Sequence, residues 1–213
     1  MERCIVASES TDVNISAIPI PRQRPQLVLF DLDDTLCDHE SSLRQRLHLA
    51  FTAAFDGEPP NNLHEIIEQS VAHSVFGTDH FPELLAPYGV SRPEQIEAAV
   101  AVYAHDRYLG LSLYEGVIDV VDTIRRQATI GMITNGPSRI QRDKIARLGI
   151  GSLFSFILVS EEEDLWKPDP RIFKRAMELG GAEPGETIYV GDNPDHDIGG
   201  ARAAGITSIW INR

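Results

Sequence analysis

Three carboxylates lie close together directly after an apolar run, and they are the residues in this sequence best suited to chemistry. The run 27–30 is typical of a buried strand in a parallel sheet, and Asp31, Asp33 and Asp34 follow it with no cation among them. Crowded carboxylates repel one another, so a fold tolerates them only with a counter-ion or with altered protonation. An acidic turn is the simpler interpretation. We favour a nucleophile and an acid/base group held around a divalent cation, which predicts an enzyme.

Polar groups that would complete such a site follow three further predicted strands. An acid-rich metal site needs another carboxylate, a lone cation, and a hydroxyl or amide group that holds an anion. The residues are Thr134 and Asn135 at the end of the strand 129–134, Lys167 after the strand 156–160, and Asp192 and Asp197 after the strand 187–190. Because ligands in an open α/β sheet bind outside the carboxyl ends of the strands, we expect these groups to meet in one crevice.

The elements that must position these residues alternate between helix and strand from residue 115 onward. This alternation predicts an α/β fold, a Rossmann-like doubly wound parallel sheet formed by residues 25–36 and 115–213. Residues 37–114 instead carry apolar stripes at helical spacing, which predicts a small all-helical domain inserted after the first strand of that sheet. For residues 1–24 we predict a mobile extension, because prolines interrupt any helix there; an arm that contacts a second copy is the alternative.

Composition limits the partners of the chain. The formal charge is −13 over 213 residues, which argues against a nucleic-acid polymer or an anionic membrane surface as a partner. No apolar run approaches the length of a membrane span. The two cysteines, Cys4 and Cys37, make no disulfide framework, and we interpret Cys37 as a packed thiol. We therefore expect a cytoplasmic protein, while the sequence does not determine its oligomeric state.

The order of the motifs DLDDT, TNG, KPDP and GDNPDHD resembles the haloacid dehalogenase-like superfamily, in its phosphatase branch. The resemblance covers residues 26–213. It is closest to members that dephosphorylate nucleoside monophosphates or sugar acid phosphates, such as the N-acylneuraminate-9-phosphatase type. The resemblance implies that the helical insertion is a cap that closes over the crevice. It also implies Mg²⁺ as cofactor and a small phosphorylated metabolite as substrate.

The resemblance also implies a role for each candidate residue. Asp31 would be the nucleophile that forms an aspartyl-phosphate, and Asp33 the general acid that protonates the leaving alcohol and then activates water. Asp31, the backbone carbonyl of Asp33, and Asp192 would hold Mg²⁺. The phosphoryl group would be bound by Thr134, Asn135 and Lys167.

The remaining charged residues near the motifs have less specific interpretations. Asp197 is predicted to brace the loop, a metal-bound water or Lys167 rather than to bind the metal; an N-cap of the last helix is the alternative. The chain has only three lysines, and we interpret Lys144 and Lys174 as ordinary solvated residues within helices.

Particular residues distinguish this sequence from members of the superfamily that catalyse other reactions. A haloacid dehalogenase does not need the acid partner, which is present here as Asp33. Phosphonate cleavage needs a cap lysine, and residues 37–115 contain none. A phosphosugar mutase and a non-catalytic regulatory protein stay open as alternatives. The sequence favours a Mg²⁺-dependent phosphatase acting on a nucleoside monophosphate or a sugar phosphate.

Overall fold

The computed structural model describes residues 4–7, 24–73 and 77–213. The chain divides into two compact units. The core unit comprises Met1–Asp38 and Ser112–Arg213, and the helical unit comprises His39–Leu111. None of the described helices is long and apolar enough to cross a membrane.

The helices of both units are short to medium in length. They are α1 (His39–Ala54), α2 (Leu63–Ala72), α3 (Phe81–Leu85), α4 (Pro93–His105), α5 (Val117–Arg125), α6 (Ser138–Leu148), α7 (Ser160–Glu163), α8 (Pro170–Gly180) and α9 (Gly200–Ala203). A π-helix, Pro194–Gly199, directly precedes α9.

A parallel sheet forms the centre of the core unit. Its strands are β1 (Cys4–Ala7), β2 (Leu27–Phe30), β3 (Thr129–Thr134), β4 (Phe156–Val159), β5 (Thr187–Gly191) and β6 (Thr207–Ile211). Their order is β1-β6-β5-β2-β3-β4, and every pairing is parallel. The chain leaves β2 toward β3 on one side and later returns to β5 on the other. The strand order therefore reverses at β2, and such a switch point opens a crevice at the carboxyl ends of the strands.

Both faces of the sheet are covered, as the apolar run of β2 predicts. Leu27 and Leu29 are buried in one cluster with Phe173 of α8. Phe30 contacts Phe154 at 6.3 Å between ring centroids. Successive side chains of a strand point to opposite faces, so a strand covered on both faces must be apolar at every position. The prediction of a doubly wound parallel sheet is confirmed.

The helical unit has its own core. Apolar side chains of α1, α2, α3 and α4 form one buried cluster, in which Phe81 contacts Phe51 at 4.9 Å and Tyr103 at 5.5 Å between ring centroids. The sequence predicts that α4 continues to about residue 109, but it ends at His105. Asp106 is extended, and its carboxylate accepts the backbone N–H of Tyr108, so a local turn replaces the next helical hydrogen bonds.

The predicted mobile extension, residues 1–24, falls mostly outside the described residues. Within its described part, β1 pairs with β6 in register from Cys4 opposite Ser208 to Ala7 opposite Ile211. The backbone of these four residues is therefore held by strand pairing, which the prolines of the segment did not indicate.

Candidate active site

All seven candidate residues lie around one small cavity at the carboxyl ends of β2, β3 and β5. The cavity has a volume of about 170 Å³, and its lining residues are Asp31, Asp33, Asp34, Thr134, Asn135, Lys167, Asp192, Asn193, His196 and Asp197. Asp34, Asn193 and the exposed His196 were not assigned to the site from the sequence. The four polar clusters therefore meet, as expected from the common direction of parallel strands.

Asp31 continues β2 and is almost fully buried. Its backbone N–H donates to the carbonyl of Val190 at 2.9 Å, and the residue is 6% exposed. Burial is the main cause that raises the pKa of Asp31 well above its usual value. Lys167 opposes this shift, while the charge of Asp197 adds to it. The ionised carboxylate therefore depends on positive charge placed next to it.

Lys167 supplies such a charge from inside the protein. Its Nζ lies 2.5 Å from Oδ1 of Asp31, 2.6 Å from Oδ1 of Asp197 and 3.0 Å from the hydroxyl of Tyr189. Burial lowers the pKa of Lys167, but the two carboxylates outweigh burial and raise it above its usual value. The lysine is thus a permanent cation between two aspartates.

Asn135 holds the backbone that carries this lysine. Its Nδ2 donates to the carbonyl of Lys167 and its Oδ1 accepts the N–H of Lys167, each at 2.9 Å. The side chain is therefore engaged with Lys167. A hydrogen bond from Asn135 to a phosphoryl group could come from its backbone N–H or from the second hydrogen of Nδ2.

Asp197 is fully buried and braces Lys167. Oδ1 accepts hydrogen bonds from Lys167 and, at 2.9 Å, from the hydroxyl of Tyr189; Oδ2 accepts the N–H of Asn193 at 3.0 Å. Asp197 lies inside the π-helix, and the cap of that helix is Asn193, whose side chain accepts two backbone N–H groups. The alternative that Asp197 is an N-cap is therefore wrong.

Gly191, the last residue of β5, leaves the space that Asp197 fills. A Cβ on Gly191 would lie 2.5 Å from the carboxyl carbon of Asp197, a distance that real Cβ atoms do not show. A glycine is required because the carboxylate packs directly against the strand backbone. Glycine as the first residue of the GDN motif is the sequence signal for this close approach.

Three carboxylates form a group that could hold a cation. Oxygens of Asp31, Asp192 and Asp197 all lie within 4.8 Å of one another. When all three carboxylates are ionised, they and Lys167 together carry a net charge of −2. Burial is the main cause that raises the pKa of Asp192, and the charge of Asp197 adds to it. A hard divalent cation with oxygen ligands, such as Mg²⁺, fits this donor set and would balance its charge.

Asp33 does not face solvent freely, because two side chains of α6 hold its carboxylate. Nζ of Lys144 lies 2.8 Å from Oδ1 and 2.7 Å from Oδ2 of Asp33, and Nε2 of Gln141 lies 3.1 Å from Oδ2. Lys144 is only 5% exposed, so the prediction of a solvated residue is wrong for it. For Lys174, which is exposed, that prediction is confirmed.

The inward position of Lys144 belongs to the buried face of α6, which the structure identifies. Gln141, Lys144 and Ile145 are the buried residues of α6, and they follow the spacing of one helix face. Two of these three positions are polar. Polar residues on a buried helix face need partners inside the protein, which is an indication of a site.

The states of the Thr134 hydroxyl and the Cys37 thiol are defined by their surroundings. The Thr134 hydroxyl is buried and accepts a hydrogen bond from Nε2 of Gln141 at 2.5 Å, which leaves its own hydrogen for a bound anion. Cys37 is fully buried, and burial raises the pKa of its thiol above the usual value. A neutral, enclosed thiol is a poor nucleophile, as the packed-thiol interpretation predicts.

Comparisons with known proteins identify the family of this chain. A family model described as haloacid dehalogenase-like hydrolase matches residues 25–205, which confirms the resemblance found in the motifs. Glyceraldehyde 3-phosphate phosphatase of Methanopyrus kandleri is 33% identical over 194 residues, covering 87% of this chain and 83% of that protein. N-acylneuraminate-9-phosphatase of Rattus norvegicus is 27% identical over 207 residues, covering 89% and 81%. The crystal structure of a HAD phosphatase from Thermococcus onnurineus superposes with a TM-score of 0.62 at 26% identity, covering 88% and 86%.

Proposed function

This chain belongs to the haloacid dehalogenase-like hydrolases, and we propose that it is a Mg²⁺-dependent phosphatase that hydrolyses a small phosphorylated metabolite. One observation carries the proposal. Asp31 is held at 2.5 Å from Lys167 in the same cavity that contains Asp33 and Asp192. This arrangement provides a fixed carboxylate nucleophile, an acid/base group two residues later, and a cation site.

In this proposal the reaction has two steps. An oxygen of Asp31 attacks phosphorus, the bond from phosphorus to the ester oxygen breaks, and Asp33 protonates the leaving alcohol. Asp33 then takes a proton from water, which attacks phosphorus of the aspartyl-phosphate. Inorganic phosphate leaves, and the Asp31 carboxylate is restored. The covalent intermediate divides one difficult displacement into two easier ones.

The ammonium of Lys167 and the hydroxyl of Thr134 bind the phosphoryl oxygens in this proposal. Asp197 and Tyr189 hold the lysine by hydrogen bonds to its Nζ, so its position does not depend on substrate. Preorganised donors of this kind stabilise the charge that develops on the transferring group. They need no reorientation when the substrate binds.

Asp31 and Asp192 would hold Mg²⁺, together with the backbone carbonyl of Asp33, which stays a prediction. The ion would orient the phosphoryl group and offset the repulsion between it and the nucleophile. Asp197 is better suited to bracing than to metal ligation, because both of its oxygens already accept hydrogen bonds from the protein.

We infer the substrate class from the names of the relatives. Those relatives are named for the dephosphorylation of glyceraldehyde 3-phosphate and of an N-acylneuraminate 9-phosphate. Both names contain a phosphorylated carbohydrate-type molecule, so a sugar phosphate is the favoured substrate and a nucleoside monophosphate the second. The cytoplasmic location expected from the sequence also stays a prediction.

The test is phosphate release from a panel of phosphorylated metabolites, with Mg²⁺ and with a chelator. We expect Mg²⁺-dependent release by the wild type and none above background by Asp31→Asn. Asp195→Asn is the matched control, because it makes the same change at an exposed position two residues before Asp197. Release that survives Asp31→Asn would exclude the aspartyl-phosphate. Transfer of phosphate between sugar hydroxyls without release would favour the mutase.

A further inference from the structure

Lys144 is a buried cation that the reaction described above does not use. It and Lys167 are each 5% exposed, while Lys174 is exposed, so the fold encloses two of the three lysines. Enclosing an ammonium is costly unless ionised or polar partners surround it. The partner of Lys144 is the carboxylate of Asp33, with one contact to each oxygen.

We propose that Lys144 is the positioning residue of the acid/base group: it fixes the Asp33 carboxylate in the orientation from which a proton reaches the leaving oxygen. This inference rests on the proposed function. Nearly equal contacts of 2.8 Å and 2.7 Å from one Nζ to the two oxygens fix the direction in which the carboxylate points. Rotation of the carboxylate about its Cβ–Cγ bond is fixed by a contact to one oxygen only, which Gln141 makes to Oδ2.

Gln141 strengthens this orientation and connects it to the phosphoryl-binding side of the cavity. Its Nε2 lies 3.1 Å from Oδ2 of Asp33, 2.5 Å from Oγ1 of Thr134 and 2.8 Å from the carbonyl of Asn135. Three acceptors therefore surround one amide nitrogen, which decides the orientation of the amide. Gln141 of α6 therefore holds Asp33 at a constant distance from Thr134 and Asn135.

The N-terminus of α6 is held by hydrogen bonds, and this fixes the helix that carries Lys144 and Gln141. The N–H of Ser138, at the first turn, donates to Oε2 of Glu161 at 2.6 Å, and its hydroxyl donates to Oε1 of Glu162 at 2.5 Å. Carboxylates at a helix N-terminus satisfy its unpaired N–H groups and interact favourably with the helix dipole. The anchor comes from α7, directly after β4.

Electrostatics explains why Asp33 needs a cation to stay in place. Asp33 shares the cavity with the carboxylates of Asp31, Asp34 and Asp192. Their repulsion favours side-chain orientations of Asp33 that point away from the reacting atoms. Lys144 offsets that repulsion, because its ammonium contacts both oxygens of Asp33. A general acid must lie within hydrogen-bonding distance of the atom it protonates, and misplacement by about 1 Å can cost about a hundredfold in rate.

The test compares two esters that differ in their need for protonation. An alkyl phosphate releases an alkoxide unless an acid protonates it, while p-nitrophenyl phosphate releases a stable phenolate. For Lys144→Met we expect kcat on the alkyl ester to fall about 10- to 100-fold. The fall in kcat on the nitrophenyl ester should be several times smaller. Lys144→Arg should recover part of the loss, and Lys174→Met should behave as the wild type.

A double-mutant comparison separates positioning from a structural role. If Lys144 acts through Asp33, then adding Lys144→Met to Asp33→Asn should lower kcat no further on either ester. Equal losses on both esters, or an undiminished effect in the Asp33→Asn background, would overturn the proposal. Lys144→Gln is the second variant if the methionine variant does not fold. Failure of the wild type to hydrolyse any phosphate ester would instead contradict the proposed function.

Discussion

Replacement of Lys167 by methionine would leave two buried aspartates without their shared cation. The side chain of Lys167 is 3% exposed, and those of Asp31 and Asp197 are 9% and 0% exposed. Methionine has a similar length and is apolar, so it fills the space without replacing the charge. Asp197 is enclosed and Asp31 is only slightly exposed, so water solvates the remaining carboxylates poorly. The variant therefore isolates the electrostatic contribution of Lys167 from its packing.

The expected destabilisation is large for a single substitution. Removal of one partner from a buried ion pair costs about 3–5 kcal/mol, because the remaining charge stays buried and unpaired. At about 2–4 °C per kcal/mol for a chain of this size, the midpoint of thermal unfolding should fall by roughly 6–20 °C. A loss of this size greatly exceeds the effect of about 0.5 kcal/mol that is usual at exposed positions.

The stability lost in Lys167→Met should increase as the pH rises. The pKa of Asp31 is already raised by burial, and removal of Lys167 takes away the cation that lowers it. A carboxyl whose folded-state pKa is raised above about 3.9 loses stability as the pH rises from that value to the folded-state pKa. The deficit of Lys167→Met relative to the wild type should therefore be smallest near pH 4 and should grow toward pH 8.

Tryptophan fluorescence is a suitable assay, because both tryptophans, Trp166 and Trp210, lie in the core unit. Thermal and urea unfolding would be followed at pH 5 and pH 8 in the presence of a chelator. Lys174→Met is the control, with the same substitution at an exposed helical position. If Lys167→Met and Lys174→Met unfold alike at pH 8, the reasoning that Lys167 neutralises buried carboxylates is refuted.

Three further variants test separate parts of the core unit. Gly191→Ala places a Cβ 2.5 Å from the carboxyl carbon of Asp197. It should lower the free energy of urea unfolding by about 1–3 kcal/mol and should also reduce activity. Gly185→Ala, which has open space around the new Cβ, should change neither the stability nor the activity. The hydrogen bond from Arg142 lowers the pKa of Glu162 to about 2. Glu162→Gln should therefore be less stable than the wild type at pH 7, and the difference in stability should shrink as the pH falls from about 4.3 to about 2. A difference that stays unchanged across that range would contradict the ion pair between Glu162 and Arg142. Saturating Mg²⁺ should stabilise the wild type by about 2.7 kcal/mol at a hundred times its Kd, and Asp192→Asn should lose most of this thermal shift; an equal shift would exclude Asp192 as a ligand.

The sequence by itself determined which residues meet at the cavity. Asp31, Lys167 and Asp192 each follow a segment whose composition identifies it as a buried strand, and Thr134 ends another. In a parallel sheet all strands point the same way, so groups placed after their carboxyl ends must lie at one edge. This argument needs only strand identity and direction, and it does not need any side-chain contact. The fold class follows from the same alternation of helix and strand.

Only the tertiary structure decided which charges pair. Two of the three lysines, Lys144 and Lys174, lie on helices and have similar local sequence character, yet one contacts Asp33 and the other is exposed. Likewise, nothing near Tyr189 in sequence identifies its hydroxyl as a partner of Lys167. Helical and strand periodicity indicates which way a side chain points but not what it meets. The partner depends on how distant segments pack, and a difference of a few ångströms decides whether two charges form a buried pair.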